Sequence, residues 1–167
     1  MISFDCFRND DPPRLADAWR ATDLGPAALQ PMTSPALEAA VFSKPYFDRH
    51  GLIVARDGDR LLGFAHAAFG PNDDRSLLDH SLGTTLLIVV PPHEQRLAIE
   101  DGLLAGCEAY LRTQGATSIR GGGTPDLGGF YLGLYGGSDL PGILDSSPGM
   151  QAVFIRNGYT PAERIAV

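Results

Sequence analysis

The sequence predicts an α/β fold, and three patterns carry that reading. Ile2, Phe4 and Cys6 alternate with Ser3 and Asp5, the two-residue period of a strand with one apolar face. Asp57-Gly58 separates two apolar runs, Leu52 to Ala55 and Leu61 to Phe69, and a turn that needs positive φ between such runs marks a hairpin. The third pattern is the continuous run Leu86 to Val90, stopped by Pro91-Pro92 and followed by apolar residues at Ile99, Leu103, Cys107 and Leu111. Spacing of four residues places that set on one helical face, so the run reads as a strand buried on both sides that feeds a helix.

The remaining elements follow in chain order. Asp10-Asp11-Pro12-Pro13 predicts a helix start with a carboxylate cap and proline in the first turn. Leu15, Ala18 and Trp19 form its buried side, and Leu24-Gly25-Pro26 stops it. Ser34-Pro35 starts a second helix, whose apolar stripe of Leu37, Val41 and Phe42 ends near Lys44-Pro45. After the hairpin, Pro71-Asn72-Asp73-Asp74 reads as a loop and Gly83 as the opening of the central strand. Gln114-Gly115 ends the long helix, and Ala116 to Arg120 reads as a short strand. Gly121 to Ser147 is irregular and glycine-rich, with Phe130, Tyr131, Leu132, Leu134 and Tyr135 clustered in it. Long irregular segments of this kind are often functional, and the cluster predicts one short helix or turn laid over a pocket. Phe130 and Leu134 read equally well as core plugs, whereas the tyrosines carry a polar end suited to lining a site. Ser147-Pro148 starts a last helix carrying Val153 and Phe154, Asn157-Gly158 ends it, and Tyr159 to Val167 reads as a final strand.

With 167 residues, 44% of them hydrophobic, the chain has enough material for one core and is read as a single domain, residues 1–167. Its net charge is -7 and its one lysine is Lys44, a balance that excludes a nucleic-acid partner and favours a cationic one. Cys6 and Cys107 read as small buried hydrophobes, and no histidine pair has metal-ligand spacing. The opening residues do not resemble a signal peptide and no apolar run reaches membrane-spanning length, so the cytoplasm is the expected compartment.

A strand that ends where a helix begins turns unpaired backbone N–H groups outward, a ready site for an anion. The turn here lacks the glycines of a dinucleotide fingerprint or a phosphate loop. Its order, Val90-x-Pro92-x-x-Gln95-x-x-Ala98-x-Glu100, resembles the acetyl-CoA signature of the GNAT-type N-acetyltransferase superfamily. In that signature a Val-x-Pro strand end is followed by Gln or Arg, two spacers, a small residue, one spacer and a final small residue. Leu103-Leu104 fall where the family's helix carries a leucine pair, and Gly158-Tyr159 matches its late Gly-aromatic pair. The element order matches too, so the resemblance covers most of the chain. It implies a mixed, mostly antiparallel central sheet flanked by helices on both faces. It also implies acetyl-CoA as co-substrate, without a metal, held at Val89, Val90, Gln95, Arg96, Leu97, Ala98, Ile99 and Glu100. The activity implied is that of an N-acetyltransferase acting on a primary amine of a small molecule or on an amino terminus. Because dimers are frequent in the family, a homodimer is left open.

Three positions depart from the family pattern. Glu100 replaces the final small residue, where a carboxylate is expected to crowd and repel a pyrophosphate. It and Asp101 also read as acids of the helix's first turn, where they favour the dipole. Phe154 replaces the tyrosine that gives a proton to the leaving thiolate, and Ser147 stands where an asparagine often contacts the cofactor. A proton donor is then sought in Tyr131, Tyr135 or, through water, Ser147. His66, Asp79, His80 and Asp126 are the candidate bases, with His93 in the turn either a phosphate contact or exposed. These departures keep a second reading open, a catalytically degenerate domain with a structural, ligand-sensing or partner-binding role.

Overall fold

The computed structural model describes residues 1–123, 129–136 and 142–162. Five strands form one sheet in the order β1-β2-β3-β4-β5. They are β1 Ile2–Cys6, β2 Leu52–Asp57, β3 Arg60–Pro71, β4 Leu78–Val89 and β5 Ser118–Gly121. β1 to β4 pair antiparallel, and β5 runs parallel to β4. A parallel neighbour needs a crossover, which the long helix between these two strands supplies. The helices are α1 Pro12–Ala21, α2 Ser34–Leu37, α3 Arg96–Thr113 and α4 Pro148–Arg156. α2 runs on into a π-helical turn, Glu38–Phe42.

The sheet is covered on both faces, which explains why its strands read as near-continuous apolar runs. Successive residues part between two cores: Val54, Phe64 and Val89 face one way, Ile53, Ala65 and Ile88 the other. The first core holds Leu15 and Trp19 of α1, Leu37 of α2, and Phe130, Tyr131, Leu134 and Tyr135 of the irregular segment. The second holds Ile99, Leu103, Cys107 and Leu111 of α3 with Val153 and Phe154 of α4.

Several sequence expectations are corrected. Asp11 precedes α1 but makes no side-chain cap bond to it. Its carboxylate instead accepts from the Arg8 N–H at 2.7 Å and from Arg56 Nη2 at 2.6 Å. Arg56 is a buried guanidinium on β2, and a buried charge needs a partner more than a helix end needs a cap. β4 opens at Leu78, not Gly83, because its polar first half pairs with the extended end of β3. α3 opens at Arg96, so Glu100 and Asp101 lie beyond its first turn. Tyr159 to Ala162 form no strand, and residues 163–167 lie outside the described residues. The Tyr159 ring packs on Phe154 at 5.1 Å, and its hydroxyl donates to Glu108 at 2.9 Å. Both cysteines are free, Cys107 buried and Cys6 half-buried. Among the described residues no helix is long and apolar enough to cross a membrane, and no group of three or more His, Cys, Asp or Glu could hold a metal ion.

Candidate functional site

The site is built where β4 and β5 part. Their pairing runs from Leu82 opposite Ser118 to Thr85 opposite Gly121, and a last bond joins the Gly122 N–H to the Thr85 carbonyl at 2.8 Å. The Thr84 hydroxyl donates to the Gly122 carbonyl at 2.6 Å, locking the point of departure. Gly122 has φ of 92°, a left-handed conformation that turns the chain away from β4. Beyond it, Gly123 pairs with Gly142, so that among the described residues Leu86 to Val90 receive no partner from β5. Met150, in the first turn of α4, packs against both cores and thus stands at the edge where the two faces meet.

This open edge leads through Pro91-Pro92 into α3. Val89 and Val90 are buried, as is Ile99, whereas Gln95, Leu97 and Ala98 are exposed and Arg96 is half-buried. The Arg96 N–H bonds to the His93 carbonyl, the Gln95 N–H to His93 Nδ1, and the Ile99 N–H to the Gln95 carbonyl. His93 is therefore a capping side chain of the turn. The N–H groups of Leu97 and Ala98 have no protein acceptor among the described residues, and they are the groups an anion at this helix end would meet.

Glu100 does not face that anion bare. Its side chain is 6% exposed, and each carboxylate oxygen takes one guanidinium, Oε1 from Arg96 Nε at 2.7 Å and Oε2 from Arg156 Nη2 at 2.8 Å. Arg156 Nε also holds Asp101 at 2.7 Å, so the cluster of two arginines and two carboxylates is formally neutral. Both guanidinium groups lie at hydrogen-bond distance from Glu100, so its charge is compensated within the protein. Arg156 was missed in the sequence, where its position in the last turn of α4 is the sole signal.

The candidate catalytic side chains fall into two groups. His66 on β3 is 1% exposed, and its Nδ1 lies 3.1 Å from the Tyr131 hydroxyl. The rings of Phe47, Phe130 and Tyr131 surround the imidazole with centroids at 5.7, 4.7 and 5.6 Å. Burial pushes the imidazole down to about 3, against the opposing charge of Asp48, so it is a neutral and very weak base cut off from solvent. Tyr131 is 1% exposed, stacks on Trp19 and has φ of 59°, unusual for a residue with a side chain. Tyr131 belongs to the core under one face, as does Tyr135 at 3% exposed, and His66 is buried against the same aromatic rings.

Tyr135 and Ser147 form the second group. Their hydroxyls are 3.4 Å apart, and Ser147 immediately precedes α4. The segment carrying Tyr135 is tied to the α1–α2 connection by bonds from Leu29 to Leu134 and from Gly136 to Ala27. Burial raises the Tyr135 phenol, with the Ser147 hydroxyl pulling the other way, so it keeps its proton at neutral pH. Phe154, where the family has tyrosine, is 3% exposed and rests on Gly121. Asp79 and His80 lie at the start of β4, away from its parting end, and Asp126 lies outside the described residues.

No protein-family model matches this chain, and no curated protein matches its sequence. Its architecture is that of the GNAT-type N-acetyltransferases. It superposes on the GCN5-related glucosamine N-acetyltransferase region of a fungal multi-domain GH3 β-N-acetylglucosaminidase with a TM-score of 0.68 and 22% identity. That match covers 96% of this chain and 17% of the fungal one. The aminoglycoside N-acetyltransferase AAC(6')-Iy, in complex with CoA, matches at TM-score 0.61 and 14% identity over 100% of this chain and 93% of its own. A GNAT family acetyltransferase from Brucella melitensis, in complex with acetyl-CoA, matches at TM-score 0.57 and 19% identity over 86% and 94%. At these identities the likeness speaks for the fold.

Proposed function

We propose that this protein is an acetyl-CoA-dependent N-acetyltransferase acting on a primary amine of a small molecule or on an amino terminus. The observation that carries the reading is the parting of β4 from β5 after Thr85, which leaves the end of β4 without a strand partner on that side among the described residues and leads into the start of α3, where the Leu97 and Ala98 N–H groups have no protein acceptor among those residues. An extended acyl-carrying arm fits such an edge, and phosphates fit the N–H groups of Leu97 and Ala98 beside Arg96. The co-substrate supplies an acyl group already activated as a thioester. The protein's work is then to orient it along Val89 and Val90, exclude water with the buried edge, and hold a proton at Tyr135 Oη, steadied by Ser147.

A cleft of about 520 Å³ is lined by Phe7, Phe42 and Phe47 together with Glu38, Asp48 and His50, none of them a residue of the β4–β5 parting. Its size suits a small molecule, and Phe47 separates it from His66 and the middle of the sheet. Among the matching structures are a glucosamine, an aminoglycoside and a ribosomal-protein-alanine N-acetyltransferase. Calorimetric titration with acetyl-CoA tests the reading, followed by a thiol-release screen of amines. Micromolar binding and amine-dependent thiol release are expected.

A second reading is favoured by the closed state of His66, Tyr131 and Phe154: a domain of this fold that binds a ligand or partner without catalysis. Binding of acetyl-CoA with no thiol release from any amine, or no binding up to millimolar concentration, selects it.

A further inference from the structure

The cleft of about 520 Å³ lies on the β1–β2 side of the sheet, whereas the strands part on the β4–β5 side. Its walls come from the chain just after β1, from the π-helical turn Glu38–Phe42, and from residues 47–50 just before β2. Phe7, Phe42 and Phe47 pack on one another with centroids 4.9 to 5.5 Å apart and form an apolar wall. Phe42 and Phe47 stay half-buried, so the core does not seal that wall. Single π-helical turns are frequent at functional sites, and this one carries both Glu38 and Phe42. The charged groups of the lining are unequal. Arg49 turns Nη2 onto the Phe7 carbonyl at 3.0 Å. Asp48 uses Oδ1 on the His50 N–H and ring, and Oδ2 on the Tyr110 hydroxyl. Glu38 differs: it is exposed, and its carboxylate has no hydrogen bond or ion pair among the described residues. Two carboxylates thus outweigh one engaged guanidinium, in a chain of net charge -7. A pocket of several hundred Å³ with aromatic walls and a few polar groups is the usual build of a small-molecule site.

We propose that this cleft is a ligand site separate from the parting strands, and that it takes a monovalent organic cation with an apolar body. The hydrocarbon part packs against Phe7, Phe42 and Phe47, and the charge sits beside Glu38. Phenyl rings and a carboxylate both attract a cation, and together they offset the water it gives up. An anion meets a lining whose carboxylates outnumber its guanidinium. A dication finds only one carboxylate with uncommitted oxygens, which sets the ligand charge at one. This site goes beyond the acetyltransferase reading and stands without it.

The probe is benzyltrimethylammonium, a cation with an aromatic body and no N–H that could accept an acyl group, so its binding reports on the cleft and not on transfer. Phenylacetate and benzyl alcohol serve as controls, with similar bodies and a negative or no charge. Each is titrated into the full chain while backbone amides are followed by proton–nitrogen correlation NMR. With the cation, saturable shifts are expected at Glu38–Phe42 and residues 47–50, and both controls should bind at least about fivefold more weakly. Glu38→Gln should weaken the cation roughly three- to fivefold, and Phe42→Leu, which keeps an apolar side chain, roughly two- to fivefold. Absence of saturable binding in the millimolar range, shifts confined to residues outside the cleft, or either control binding as tightly as the cation overturns the proposal. So does an affinity for the cation that Glu38→Gln leaves unchanged. Should a variant not fold, the three probes on the unaltered chain still decide, since that comparison needs no substitution. Acetyl-CoA binding, measured separately, bears on the acetyltransferase reading alone, so the two can fail independently.

Discussion

Asp11 and Arg56 set the stakes for single residues in this chain. They are 45 residues apart, 0% and 2% exposed, and joined at 2.6 Å. Asp11→Ala leaves a guanidinium buried without a counter-charge and is expected to cost about 3–5 kcal/mol in urea unfolding. Adding Arg56→Met to that variant should recover most of the loss. His66 makes stability depend on pH. Its folded pKa of about 3 lies below the ordinary 6.5. Between those values the unfolded chain binds a proton that the folded chain refuses. The His66 contribution is thus fully present above pH 6.5 and is lost as pH falls toward 3, with a slope of at most about 1.4 kcal/mol per pH unit. Unfolding curves from pH 7 to 4 should fall less steeply in His66→Asn. At the site, Tyr135→Phe removes the proposed proton donor, and kcat should drop roughly 100-fold with KM for acetyl-CoA little changed.

At the scale of elements, α4 docks on β5 through Phe154, at the last β5 residue paired with β4. A Cβ on Gly121 would lie 2.6 Å from Phe154 Cδ1, inside contact distance, so Gly121→Ala must push the ring and with it α4. A loss of about 1–3 kcal/mol is expected, seen as a lower thermal midpoint, together with weaker CoA binding if Arg156 moves with its helix. Phe154→Ala empties the same contact and should cost about 3–5 kcal/mol. Helix existence was legible from apolar spacing: Leu15, Ala18 and Trp19 are buried as their periodicity demands, and so are Ile99, Leu103, Cys107 and Leu111. Their ends were less legible. Asp11 has the chemistry of a cap but is claimed by a distant arginine, and β4 extends through a polar stretch because its partner strand, not its own composition, keeps it extended.

For the molecule as a whole, ligand and fold are linked by mass action. Any molecule bound to the folded chain alone raises its stability by about 2.7 kcal/mol at one hundred times its dissociation constant. Acetyl-CoA should therefore shift the thermal midpoint upward in a concentration-dependent way, and the shift should shrink with added salt, since Arg96 is partly exposed. A midpoint unmoved by millimolar acetyl-CoA would count against the anion site at the start of α3.

What the sequence determined by itself is what short-range periodicity encodes: the five strands of the sheet, the hairpin at Asp57-Gly58, the strand-to-helix turn after Val90, and hence the α/β class. The tertiary structure decided the partners. His66 meets Tyr131 across 65 residues and Arg156 meets Glu100 across 56, and neither pairing is visible in local chemistry alone. A histidine that looked like a base is buried neutral, and a glutamate that looked like an obstacle is neutralised. The reason is physical: residue type fixes what a side chain can exchange, while burial and the charge brought against it fix whether it does.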